Sequence, residues 1–315
     1  MKIINIILIL FCVLSFALGD LIVGYYDMNC PMAENIVHDV VRRYFLQDAS
    51  ITGGLLRMHF HDCFVTGCDA SILIDPTNET SSEKNAGPNL TVRGYEIIDE
   101  AKTLLEESCP LTVSCADIIT LAARDAVGLA GGPIYLVPTG RKDGLISNPK
   151  EVNLPGPYLP VSQALEFFTA KNMSLDEMVT LLGAHTLGFA HCSSFRNRLS
   201  SFSGHIDPTM DPALDANLVR ICGSSSTNTT KDDPTAVLDA TPNVFDNTFY
   251  GQLFYKRGVL SIDQQLALDP LSRDIASRFS SDGSAFRESF ANAMVKLGYL
   301  AVDRGDIRKN CRVFN

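Results

Sequence analysis

Arg57 and His61 stand four residues apart in the run Arg57-Met58-His59-Phe60-His61-Asp62-Cys63-Phe64, which reads as helix, so a permanent cation and an imidazole project from one face. The pair suits proton transfer: a neutral imidazole can take a proton and give it back, while a guanidinium holds negative charge that develops beside it. Immediately behind it Asp62, Asp69 and Ser71 gather hard oxygen ligands round the turn Gly67-Cys68-Asp69-Ala70-Ser71, closed by two cysteines five positions apart, which suggests a bound cation at the helix end. A second imidazole, His185, lies in Gly183-Ala184-His185-Thr186-Leu187-Gly188, whose small residues would let a large planar group approach the ring. A lone histidine at a helix end more often caps carbonyls than binds a metal; the Arg57/His61 pair tilts the reading towards ligation. A copper or zinc site built from His59 and His61 is the weaker alternative, since residues two apart on a helix point in different directions.

The elements that must carry these residues are helical. Apolar residues recur at helical spacing over 32–47, 55–62, 92–107, 116–130, 161–170, 175–182, 246–256, 271–279 and 285–297, and strand-like alternation is nearly absent. Ser174 with Glu177 forms a capping box before the run that ends at His185, and Ser114 can cap the helix that begins near Ala116. Breakers at Gly131-Gly132-Pro133, Asn148-Pro149 and Leu154-Pro155-Gly156-Pro157 make a poorly periodic middle that joins two helical halves. The Ser- and Thr-rich stretch 223–230 reads as an exposed loop. The expected class is mainly α.

Composition narrows the setting. A hydrophobic fraction of 46% with 20% charged residues is that of a globular chain, not a disordered one. Lys2, an apolar run over 3–16 and Ala17-Leu18-Gly19 read as a signal peptide over 1–19, too short for a spanning anchor. Its removal leaves 25 basic against 36 acidic residues, a net charge of −11 without a basic patch, which argues against nucleic acid or an anionic membrane as partner. Nine cysteines become eight without Cys12, an even count that in a secreted chain points to disulfides. Sequons at Asn78, Asn172 and Asn228 are candidate glycosylation sites, and a fourth falls at Asn89.

Taken together, the motifs resemble those of the class III (secretory) plant peroxidases, a branch of the plant haem peroxidase superfamily, from about Asp20 to the last residues. Supporting pieces stand in order: Glu83-Lys84, Arg93-Gly94, Ser114-Cys115-Ala116-Asp117, Gly140-Arg141-x-Asp143, Asn153-Leu154-Pro155 and Phe245-Asp246-Asn247. The resemblance implies one haem peroxidase domain over 20–315, with a distal half at 20–145 and a proximal half at 160–300 enclosing haem b, and the two chain ends tied by a disulfide. It makes His185 the axial iron ligand with Asp263 as its carboxylate partner, and Arg57 and His61 the catalytic pair. Phe60 would wall the peroxide pocket, Asn89 would accept from His61, Glu83 would anchor Asn89, and the carbonyl of Pro155 would orient a phenolic donor. Without the resemblance Asp263 would read as a solvated turn acid. If Asn89 is buried in that role, its sequon carries no glycan.

Two calcium ions are implied as well, a distal one on Asp62, Val65, Gly67, Asp69 and Ser71, and a proximal one on Thr186, Asp239, Thr241, Val244 and Asp246. The implied disulfides are Cys30 with Cys109, Cys63 with Cys68, Cys115 with Cys311, and Cys192 with Cys222. Loop-closure entropy puts the longest at about 4 to 5 kcal/mol of stabilisation and the Cys63 loop below about 3 kcal/mol. The expected activity is reduction of hydrogen peroxide with one-electron oxidation of phenolic donors such as lignin precursors, by a monomer. The chain departs from the pattern in three places: Asp239 and Thr241 stand one residue closer than usual, the segment from Asn89 to Arg93 is one residue short, and Tyr135 stands where tryptophan is common, in a chain without tryptophan. The short tail after Cys311 favours the cell wall over the vacuole. A haem carrier without catalysis is the competing class, and the presence of both Arg57 and His61 argues against it.

Overall fold

The computed structural model describes residues 21–223, 233–301 and 304–315; the signal-peptide expectation over 1–19, Cys12 and the sequon at Asn228 lie outside them. Twelve α-helices are present among the described residues: α1 Ala33–Gln47, α2 Ile51–Val65, α3 Tyr95–Ser108, α4 Cys115–Leu129, α5 Val161–Ala170, α6 Leu175–Leu182, α7 Ser200–Ser203, α8 Pro212–Cys222, α9 Thr248–Leu253, α10 Ser261–Leu268, α11 Arg273–Ser281 and α12 Gly283–Gly298. The mainly α expectation holds. Among the described residues strand is confined to one antiparallel pair, Phe189–His191 against Thr235–Val237.

Helix starts follow the expected chemistry. Ser174 accepts from Glu177 N while the Glu177 carboxylate accepts from Ser174 N, closing the capping box of α6, and Ser114 accepts from Asp117 N at the start of α4. Three helices were not anticipated. The longest, α8, starts on a cap, Asp211 accepting from Leu214 N ahead of Pro212. Of the other two, α7 spans only four residues, too few for periodicity to stand out, and α10 starts at Ser261 without a side-chain cap from Leu260.

Two apolar clusters make the core. One is built mainly from residues of the C-terminal half, with Phe245, Phe249, Phe286 and Phe290 at its centre; the other joins α1, α3 and α4. Helix α2 lies between them, giving Leu56 and Phe64 to the first and Leu55 and Met58 to the second. A helix buried on both sides needs apolar residues all round, which is why only its middle, 55–62, displayed a helical pattern, and Gly53 and Gly54 masked its start. Disulfides join Cys30 to Cys109, Cys63 to Cys68, Cys115 to Cys311 and Cys192 to Cys222. Asp143 reinforces the tie that Cys115–Cys311 makes between α4 and the C-terminal segment, accepting from Ala116 N at the head of α4 and from Arg308 N near the C-terminus.

Candidate active site

Arg57 and His61 lie on α2 and His185 in a 3-10 turn, Gly183–Thr186, that continues α6. The two elements meet where Gly53 faces Gly188: a Cβ on Gly53 would stand 3.1 Å from Gly188 Cα and 3.3 Å from Leu187 O. Gly188 is also left-handed, with φ 96°. Gly183 has another use than the expected one, since a Cβ there would fall on the Tyr250 hydroxyl and the Phe286 ring; its smallness serves packing behind the turn.

His61 is buried, and its Nδ1 meets Asn89 Oδ1 at 2.7 Å. Asn89, 2% exposed, commits its Nδ2 to the backbone carbonyl of Glu83 at 2.9 Å, so Oδ1 is the atom left to accept. His61 therefore carries its proton on Nδ1, and Nε2 is the basic nitrogen. Burial, and then the charge of Arg57, hold His61 down to about 3, so it is neutral over the working range. Glu83 thus anchors Asn89 through its main chain. Its own carboxylate is buried, pushed up to about 7 by desolvation.

Arg57 donates to Pro88 O at 2.7 Å and to Thr91 Oγ1 at 3.0 Å. Neither partner was foreseen from the sequence, although both flank Asn89 in the loop whose length departs from the pattern. The Arg57 charge also acts on His185, opposing its protonation, as expected of groups on facing elements. Phe60 stacks on Phe64 at 4.5 Å and stands edge-on to His61 at 6.2 Å between ring centroids.

His185 Nδ1 is 2.8 Å from Asp263 Oδ1. Asp263 is 1% exposed in the first turn of α10, which rules out a solvated turn acid, whereas the His185 side chain is 31% exposed. Burial disfavours the imidazolium, but the Asp263 carboxylate more than offsets it and raises the His185 pKa. With Nδ1 engaged, Nε2 is free to donate to a metal. Pro155 is half-buried, and the loop that follows it is tied to α10 where Ile262 N donates to Pro157 O at 3.0 Å, one residue from Asp263.

Behind His61 the Asp62 carboxylate is fully buried, and neither oxygen has a hydrogen-bond partner among the described residues; Ser71 Oγ is likewise unpartnered. Burial, then the nearby Asp69 carboxylate, raise the Asp62 pKa well above the ordinary range. Asp69 accepts from Ser71 N at 2.9 Å and from Thr66 Oγ1 at 3.2 Å. Buried oxygens of this kind, without donors, fit a hard cation. On the other side Thr186 Oγ1 donates to Asp239 Oδ2 at 2.8 Å and lies 3.4 Å from Asp246 Oδ1, and Thr241 N donates to Asp239 Oδ1 at 2.8 Å. The short spacing from Asp239 to Thr241 thus leaves these side chains together. Desolvation raises Asp239 to about 6, with Asp246 adding to it. Val244 sits at the edge of this group, exposed.

His59, Cys63 and Cys68 also converge within 4.8 Å, but the two cysteines are joined to each other, so no thiolate is offered to a metal. His59 turns to Cys63 Sγ at 3.4 Å and His61 to Asn89, so the copper or zinc pair is not formed.

Residues 37–282 match the family model described as Peroxidase. The chain is similar to three proteins of Arabidopsis thaliana: Peroxidase 44, at 52% identity over all of both chains; Peroxidase 57, at 50% over 98% of this chain and 97% of the relative; and Peroxidase 28, at 49% over 99% and 98%.

Proposed function

This chain belongs to the peroxidase family as a plant class III member, an enzyme of hydrogen peroxide in a haem-using family, and on that premise we propose that His61 is its acid-base catalyst, Arg57 its charge-stabilising partner and His185 its axial iron ligand. The observation that carries the reading is the Asn89–His61 hydrogen bond, which leaves a neutral imidazole with a basic Nε2 beside a fixed guanidinium. His61 Nε2 takes the proton from one oxygen of hydrogen peroxide and returns it to the other, so that the departing oxygen leaves as water. Arg57, pinned to Pro88 and Thr91, offsets negative charge as the O–O bond breaks. Asp263 accepts the Nδ1 proton of His185 and makes Nε2 a stronger donor. Haem held by His185 would supply the redox chemistry that links two-electron reduction of peroxide to one-electron oxidation of two donors.

The donors in this reading are small phenols admitted beside Pro155, and calcium at the Asp62 and Asp239 groups braces the two walls. Secretion to the cell wall space agrees with four disulfides. Among the described residues no helix is long and apolar enough to cross a membrane.

The test is stopped-flow spectroscopy of the purified holoprotein. His61→Ala should keep its haem and slow peroxide cleavage by roughly 10²- to 10⁴-fold, the usual loss for a general base. His185→Ala should lose haem or bind it weakly. Unchanged peroxide kinetics in the first variant, or an unaltered ferric spectrum in the second, would remove the role given to that histidine.

A further inference from the structure

Lys171 caps the C-terminus of α5, and its ammonium donates to the carbonyl of Val65, the last residue of α2, at 2.7 Å. The contact is held in place by its surroundings. Phe168, in the last turn of α5, packs on Phe64 at 4.8 Å and on Phe60 at 6.1 Å between ring centroids, so the ends of the two helices are locked together. Directly after Lys171 the chain turns left-handed at Asn172, φ 58°, and the N–H groups of Lys171 and Asn172 close on the carbonyls of Phe168 and Thr169. Lys171 is half-buried and has no carboxylate partner within ion-pair distance among the described residues.

A helix end leaves carbonyls without intrahelical donors and carries the negative end of the dipole, so a lysine there is a cap. The Val65 carbonyl has a second claimant, because it belongs to the oxygen set assigned to the distal calcium together with Asp62, Gly67, Asp69 and Ser71. We propose that Lys171 is a positioning residue of the distal cation site: it shares the Val65 carbonyl with the ion, weakens calcium binding by charge repulsion, and keeps the end of α2 paired when the ion is absent. The proposal rests on the calcium reading of the Asp62 loop. An ammonium drawing on one lone pair leaves a poorer oxygen for a second cation, and two positive charges about one oxygen oppose each other. Once the ion departs, the same hydrogen bond spares a buried carbonyl the cost of having no donor, in the helical turn that also carries His61 and Asp62.

The experiment is a calcium titration by calorimetry of the chelator-stripped holoprotein, with the distal step identified as the one lost in Asp62→Asn. Lys171→Met removes the charge and the hydrogen bond; it should bind distal calcium about tenfold more tightly, and its calcium-free form should melt below that of the wild type. Lys171→Arg keeps the charge and should stay near the wild type in both measurements. Lys171→Gln, neutral but still a donor, should show the tighter binding with a smaller loss in melting temperature, and it serves if the methionine variant does not fold. Wild-type calcium affinity in the neutral variants overturns the proposal even where melting falls, because a purely structural cap would move melting alone. A wild-type protein without an Asp62-dependent calcium step overturns both the proposal and the reading beneath it.

Discussion

His61 owes its usefulness to the one atom that orients it. Asn89 can accept from His61 only because its amide nitrogen is spent on Glu83 O, and the resulting tautomer exposes the basic nitrogen. The pH dependence follows with a definite sign. His61 is in the base form above about 3 and is lost as base when pH falls through that value, so the rate of peroxide cleavage should stay level from neutral into acid and drop only near that limit. Burial holds the value down first and the Arg57 charge second, so Arg57→Leu should move the acid limb to higher pH while also slowing the reaction; stopped-flow rates across pH give both, and an unmoved limb would show that Arg57 does not act on His61 through its charge. The same geometry predicts the fate of a sequon. Asn89 is buried with its Nδ2 engaged, while Asn78 is exposed at a bend, so peptide mapping of the protein expressed through a glycosylating host should find glycan absent from Asn89 and permitted at Asn78.

At the scale of elements, α2 is the wall shared by both cores, and its fit against the His185 turn depends on Gly53 meeting Gly188 without side chains. Gly53→Ala puts a methyl into backbone that can yield only by moving α2 away from the turn, a strain of about 1 to 3 kcal/mol on the usual scale for overpacking. The expected result is a lower denaturation midpoint together with weaker haem retention, since the displacement parts α2 from the turn that carries His185. Equal stability and equal retention in that variant would mean that the approach of the two elements is set elsewhere. The loop after Glu83 plays the companion role, holding Arg57 through Pro88 and Thr91 and His61 through Asn89.

For the whole molecule, the C-terminal segment is tied to the head of α4 by Cys115–Cys311 and Asp143, and the buried oxygens of Asp62 and of the Thr186–Asp239 group lie behind the two histidine-bearing elements. Removing a cation from Asp62 leaves a buried carboxylate without a donor, which must take up a proton or remain an uncompensated charge. Chelation of the holoprotein should therefore change the absorption of the haem site before far-ultraviolet circular dichroism reports loss of helix, because the disulfides and both cores remain. Simultaneous loss of the two signals would place the cations in the global fold and not in the local support of the site.

Much of this was legible in the chain. Helical periodicity, the Ser174 capping box and the Arg57–His61 spacing are local properties, so residue order alone sets them, and the motifs around His61 and His185 were specific enough to indicate the family. Asp263 could be singled out only by resemblance, because nothing near it in sequence distinguishes a buried carboxylate from a solvated one. Its burial and its bond to His185, 78 positions away, come from the docking of α10. The same holds for the hold of Thr91 on Arg57, the meeting of Gly53 with Gly188 and the reach of Lys171 to Val65. Each joins segments that are distant in sequence or in separate elements, and their side-chain types are common. Sequence by itself determined which groups can do the chemistry; the tertiary structure decided which nitrogen is basic, which carboxylate lacks a donor and which ammonium meets the Val65 carbonyl, because those depend on packing between elements that no local pattern encodes.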